Sequence, residues 1–186
     1  MSQNQVIAII VAVLVLAAVV LFYLRTQRSK KLRERFGPEY ERAVSEAGSN
    51  RAEAKLARIE KRVKKYDIRP LEATARDRYV VQWRLVQARF VDDPNGTVGE
   101  ADRLLGDVMA ARGYPVADFE QQAADLSVNH APVIEHYRAG HEIAVRHARG
   151  QASTEDLRRA LIHYRELFEE LVREPSSATA AAATRY

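Results

Sequence analysis

Two patterns of apolar residues divide the chain. The first is an unbroken run. Val6 to Leu24, VIAIIVAVLVLAAVVLFYL, holds no charged residue. As a helix it reaches about 28 Å at 1.5 Å per residue, close to the roughly 30 Å hydrocarbon core of a bilayer. Phe22 and Tyr23 stand at its end, where an interfacial aromatic belt falls. This predicts a transmembrane helix rather than a cleaved signal peptide, because the preceding MSQNQ carries no Lys or Arg and no Ala-x-Ala site leads into a polar mature start.

The second pattern is periodic. After Arg25 apolar residues recur every three or four positions, as on one face of a helix, and no alternating strand pattern of any length interrupts them. Gly37-Pro38 closes the first helix, since proline does not continue a helix interior. A short helix from Glu39 to Ala47 is predicted, then a break at Gly48-Ser49-Asn50 that supplies an N-cap. Ala52, Leu56, Ile59, Val63 and Tyr66 form the apolar stripe of Arg51–Tyr66. Pro70-Leu71 starts a helix to about Val91, with Tyr79, Trp83, Val86 and Phe90 turned inward. Thr97 and Glu100 read as a capping box for a helix reaching Gly113. Asp118 caps a short helix through Leu126, and Asn129 caps one to Gly150. Ser153 and Asp156 form a second capping box, and the helix it opens runs to about Arg173 with Leu157, Leu161, Tyr164, Phe168 and Leu171 on its buried face.

Short connections between amphipathic helices favour antiparallel neighbours. The expected fold is therefore all-α: an N-terminal transmembrane helix followed by an antiparallel helical bundle of about five or six helices. The divisions are a short extracytoplasmic N-terminus at 1–5, the transmembrane helix at 6–24, a basic juxtamembrane helical segment at 25–69, the bundle at 70–173, and a small, polar tail at 174–186 expected to be disordered.

Charge adds an orientation. Residues 1–69 hold 15 Lys and Arg against 7 Asp and Glu, a net of +8, whereas the remainder holds 14 against 18, a net of −4. Arg25, Arg28, Lys30, Lys31, Arg33 and Arg35 follow directly on the apolar run. The positive-inside rule then places that end in the cytoplasm and the N-terminus outside. Arg51, Lys55, Arg58, Arg62 and Lys65 form a second stripe, about 100° around the helix from the apolar one. These eleven cations are the candidate contacts with anionic lipid headgroups, each contributing about 1 kcal/mol close to an anionic leaflet; for the stripe from Arg51 to Lys65 the competing reading is a solvated helix face that needs no partner. The basic helix lacks interleaved aromatics and any recognisable nucleic-acid module, so a nucleic-acid partner is not expected.

Little else points to chemistry. The chain has no cysteine, which excludes disulfides, thiolate metal sites and cysteine nucleophiles. HEIAVRH, from His141 to His147, resembles a zinc-protease helix, but its histidines are six apart, or about 120° around the axis, where a zincin needs a four-residue spacing. His141 falls on a stripe with Ile134, Tyr137 and Val145, and Glu142 stands four from both Arg138 and Arg146, as in a chain of surface ion pairs. Counted from Asp93, DDPNG fails the calcium-loop pattern. No glycine-rich phosphate loop or nucleophile elbow is present. No cofactor and no metal site are expected.

VQARFVDDP, EADRLLGDVMAARGYP, DFEQQAADLSVNH and STEDLRRALIHYRELFEEL resemble a group of uncharacterised single-pass bacterial membrane proteins of actinobacterial and acidobacterial type. The resemblance spans roughly residues 77–172. It implies a bacterial, membrane-anchored helical protein and brings no activity, cofactor or site residue with it. The function expected is a non-enzymatic helical module, tethered to the cytoplasmic face of the bacterial inner membrane for protein–protein interaction or scaffolding. The alternative is a metal- or histidine-dependent enzyme, its site assembled across several helices from His130, His136, His141, His147 and His163.

Overall fold

The structure, a computed structural model, describes the backbone of residues 3–173 and the side chains of residues 12–173. The expectation of a disordered tail at 174–186 falls outside these residues. Within them the chain is all-helical and contains no strand. α1 runs Gln3–Phe36, α2 Pro38–Ala47, α3 Ser49–Val63, α4 Ala73–Arg89, α5 Pro94–Ala111, α6 Phe119–His130, α7 Ile134–Ala148 and α8 Thr154–Val172. One 3-10 turn, Ala131–Val133, separates α6 from α7. Seven helices thus follow α1, where five or six were expected. α2 and α6, both expected as short helices, have 10 and 12 residues.

Several starts differ from their expected caps. α5 begins at Pro94, three residues before Thr97, because Asp93 accepts a bond from the Gly96 amide at 2.9 Å and proline is pre-set for a first helical position. Thr97 then donates its hydroxyl to the Asp93 carbonyl at 2.6 Å, and Glu100 pairs with Arg89 rather than closing a box. α3 starts directly after Gly48 without a side-chain cap. Asn129 sits inside α6 and donates to the Tyr114 hydroxyl, so it caps nothing. Asp118 and the Ser153–Asp156 box do cap α6 and α8.

Two apolar cores result. The larger gathers Trp83, Leu105, Leu126, Ile134, Tyr164 and Phe168 with their neighbours from α4 to α8. Trp83 stacks on Phe168 with ring centroids 4.7 Å apart. α7 and α8 approach closely at Gly140, where an added Cβ would meet the Tyr164 ring at 2.7 Å. The smaller core joins Leu32 and Phe36 of α1, Tyr40 and Ala43 of α2, and Ala52, Leu56, Ile59 and Val63 of α3 to Ala124 and Val128 of α6. α6 is buried on nearly every side and serves both cores, so the basic segment at 25–69 is packed onto the helices that follow it.

The α1–α2 junction turns on Gly37, whose φ of +51° is a backbone conformation that costs glycine little. α2 folds back along α1, and α3 returns beside it. Ser29 meets Glu53 and Arg35 meets Glu60, so α3 runs parallel to the end of α1, away from the apolar run.

Candidate functional site

α1 changes character along its length without a break. Val13 to Leu24 are exposed, with large side chains 48–71% accessible, although no polar residue interrupts them. Two to three turns later Leu32 and Phe36 are buried, Phe36 completely. One helix is therefore apolar and uncovered at one end and a core element at the other.

The structure divides the eleven candidate cations. Arg33 pairs with Glu41 at 2.8 Å, Arg35 with Glu60 at 2.9 Å, Lys30 with Glu34 and Lys55 with Glu46 at 4.0 Å. Arg62 turns inward to Asp125. Arg25, Arg28, Lys31, Arg51, Arg58 and Lys65 have no acidic partner among the described residues. Arg25 and Arg28 line a cleft of about 280 Å³ with Ser29, Ser49, Asn50 and the carboxylate of Glu53, directly past the apolar run. The stripe on α3 leaves that level as it climbs. Lys65 lies 14 residues beyond Arg51, most of it in helix, about 20 Å at 1.5 Å per residue. That exceeds the screening length of about 8 Å at physiological salt.

Two close ion pairs, and a looser exposed one between Arg42 and Glu120 at 4.0 Å, fasten the basic segment to the other helices. Asp125, 3% accessible, takes both Nε and Nη2 of Arg62 at 3.0 and 2.5 Å and accepts the Tyr66 hydroxyl at 2.9 Å. Burial and that carboxylate both push the Tyr66 phenol up. Glu39 of α2 and Arg138 of α7, 9% and 12% accessible, make a two-pronged pair at 2.8 and 3.0 Å. Arg138 also holds Glu120 and lies over the Phe119 ring. The surface ladder expected at Glu142 does not form: Arg138 takes Glu39 and Glu120, Arg146 lies near Asp156, and Glu142 has no ion pair among the described residues. A largely buried charge-assisted fork outcompetes an exposed helix pair of a few tenths of a kcal/mol. Neither clamp was read from the sequence, where their only mark is an acid among small apolar residues, AADLS, and another beside a helix start, GPE.

The histidines do not gather into one site, although two of them meet. His130 hydrogen-bonds Glu170 at 3.1 Å beside Tyr114. His136 and His163 pair through their Nδ1 atoms at 3.1 Å. His141 stacks on Phe119 at 3.6 Å, on the buried side that its stripe indicated. No group of three metal-capable side chains forms among the described residues. Burial pushes His130, His141 and His163 below the ordinary 6.5, against the pull of Glu170 on the first and of Asp102 and Glu120 on the second; His136 adds to the fall at His163. In the unfolded chain each takes a proton near its ordinary value, so the unfolded state binds more protons as pH drops. Stability to urea is expected to be flat above about pH 6.5 and to fall below it, as measured by unfolding midpoints from pH 8 to 5. A midpoint that rises on acidification would contradict this.

A groove of about 630 Å³ lies between α4 and α5. Leu85, Val86, Leu104 and Val116 form its apolar lining, with Arg89, Glu100, Arg103 and Asp107 at its edges. It holds no histidine. No family model, curated protein or solved structure matches the chain.

Proposed function

We propose that this is a single-pass membrane protein of the bacterial cell membrane, N-terminus outside. Its seven following helices form a cytoplasmic bundle that works as a non-enzymatic interaction module. One observation carries the reading: α1 passes from an uncovered apolar stretch into the small core as one helix. Leaving that stretch in water costs roughly 25 cal/mol per Å² of apolar surface, which lipid removes. Because Leu32 and Phe36 are core residues of the same helix, the bundle sits on the anchor without a hinge. A module fixed in this way presents a defined face to partners at a defined height.

Cations at the base of the bundle complete the seat. Arg25, Arg28, Lys31 and Arg51 are unpaired among the described residues and lie nearest the end of the apolar run, within reach of anionic headgroups. Arg62 and Lys65 fall outside this set, one committed to Asp125, the other about 20 Å further along α3. Two of the histidines pair, but no third metal-capable side chain joins them among the described residues, which supports an interaction module over a histidine-dependent enzyme.

The seat is tested by hydrogen exchange of the full chain in nanodiscs. Amides of Ser49 to Ala52 are expected to exchange more slowly in phosphatidylglycerol than in phosphatidylcholine discs. The triple change Arg25→Gln, Arg28→Gln and Arg51→Gln removes the difference. Equal exchange of the unaltered chain in both discs would show that these cations do not seat on lipid.

A further inference from the structure

α4 is apolar on two opposite faces. Tyr79, Trp83 and Val86 enter the large core. On the other side Val81, Leu85 and Ala88 repeat at four- and three-residue steps, with Val81 54% and Leu85 52% accessible. This is the spacing of a helix seam, and none of the described residues covers it. The seam borders the α4–α5 groove, whose far wall carries Val116 at 87% accessible.

The charges at the groove say what fits. Arg89 and Glu100 neutralise each other at 2.6 Å. Arg103 and Asp107 stand four apart on the exposed side of α5, spaced for an ion pair, yet neither makes one among the described residues. An unpaired cation beside an unpaired anion is self-complementary. A two-fold axis brings Arg103 of each copy to Asp107 of the other and forms two pairs at once. A partner of one sign satisfies only half of this rim.

We infer that the α4–α5 face is the contact between two copies of this chain, with the Val81–Leu85–Ala88 ridge of each seated in the groove of the other. Arg103 and Asp107 set the register. The inference rests on the reading of the chain as an interaction module, but not on the membrane span. Two copies anchored in one membrane share an orientation, which a two-fold axis along the membrane normal preserves.

The full chain in detergent, its protein mass followed by light scattering across a dilution series, provides the test. A dimer is expected. Leu85→Asp should give a monomer with unchanged helical circular dichroism. Arg103→Asp and Asp107→Arg should each weaken the dimer about tenfold by setting like charges together twice. The double swap Arg103→Asp with Asp107→Arg should restore it. A monomeric unaltered chain would overturn the inference, as would a dimer indifferent to Leu85→Asp. A double swap no better than the single changes would overturn the register. None of these results bears on whether α1 crosses the membrane.

Discussion

Replacing Arg138 with Ala is expected to destabilise the protein by about 3–5 kcal/mol, the usual cost of breaking a buried ion pair by removing one partner. Glu39 would keep its charge at 9% accessibility with no guanidinium to take it. Glu120 would lose its partner on α7, and the guanidinium over the Phe119 ring would go as well. The loss is larger than that of any surface pair here because neither carboxylate oxygen of Glu39 has another charged partner among the described residues. Arg138→Lys keeps the charge but not the planar fork and should cost less. Replacing both partners, Glu39→Gln with Arg138→Met, leaves no buried charge and should recover much of the stability. Urea unfolding of the full chain in micelles measures all three. A change below about 1 kcal/mol for Arg138→Ala would mean that the pair behaves as an exposed one and does not hold α2 to α7.

What the sequence made legible was local. The stripes of α3, α4 and α8 emerge as buried faces because a 3.6-residue period needs no knowledge of the partner: Ala52, Leu56, Ile59 and Val63 are all buried, as are Tyr79, Trp83 and Val86. The Ser153–Asp156 box was readable because both halves lie within four residues. Thr97 misled because a second capping residue, Asp93, stood upstream beside a proline, and local rules do not rank two adjacent starts. The clamps were illegible for a different reason. Arg62 and Asp125 are 63 residues apart, Glu39 and Arg138 are 99 apart, and no periodicity links them. The same gap affects the basic stripe. Its even spacing predicted one continuous face, but direction relative to α1 decides which of its cations stay near the end of the apolar run. The parallel register of Ser29 with Glu53 and Arg35 with Glu60 sets that direction.

The second large effect is all-or-none. If α1 crosses a bilayer, residues before Val6 and after Leu24 lie on opposite sides. No intermediate is stable, because drawing Arg25, Arg28, Lys30 and Lys31 through hydrocarbon costs about 2.5–3.5 kcal/mol for each residue at the centre. The chain contains no cysteine, so one introduced thiol reports alone. Ser2 precedes the apolar run, and Ser45 lies exposed on α2. The direct measurement is labelling of Ser2→Cys and Ser45→Cys, in the full chain expressed in bacteria, with a maleimide that does not cross membranes. The expected result is that Ser2→Cys reacts in intact cells and Ser45→Cys only after the membrane is opened. Labelling of both from the same side would show that the run does not span. Labelling of Ser45→Cys alone in intact cells would reverse the orientation and remove the bundle from the cytoplasm.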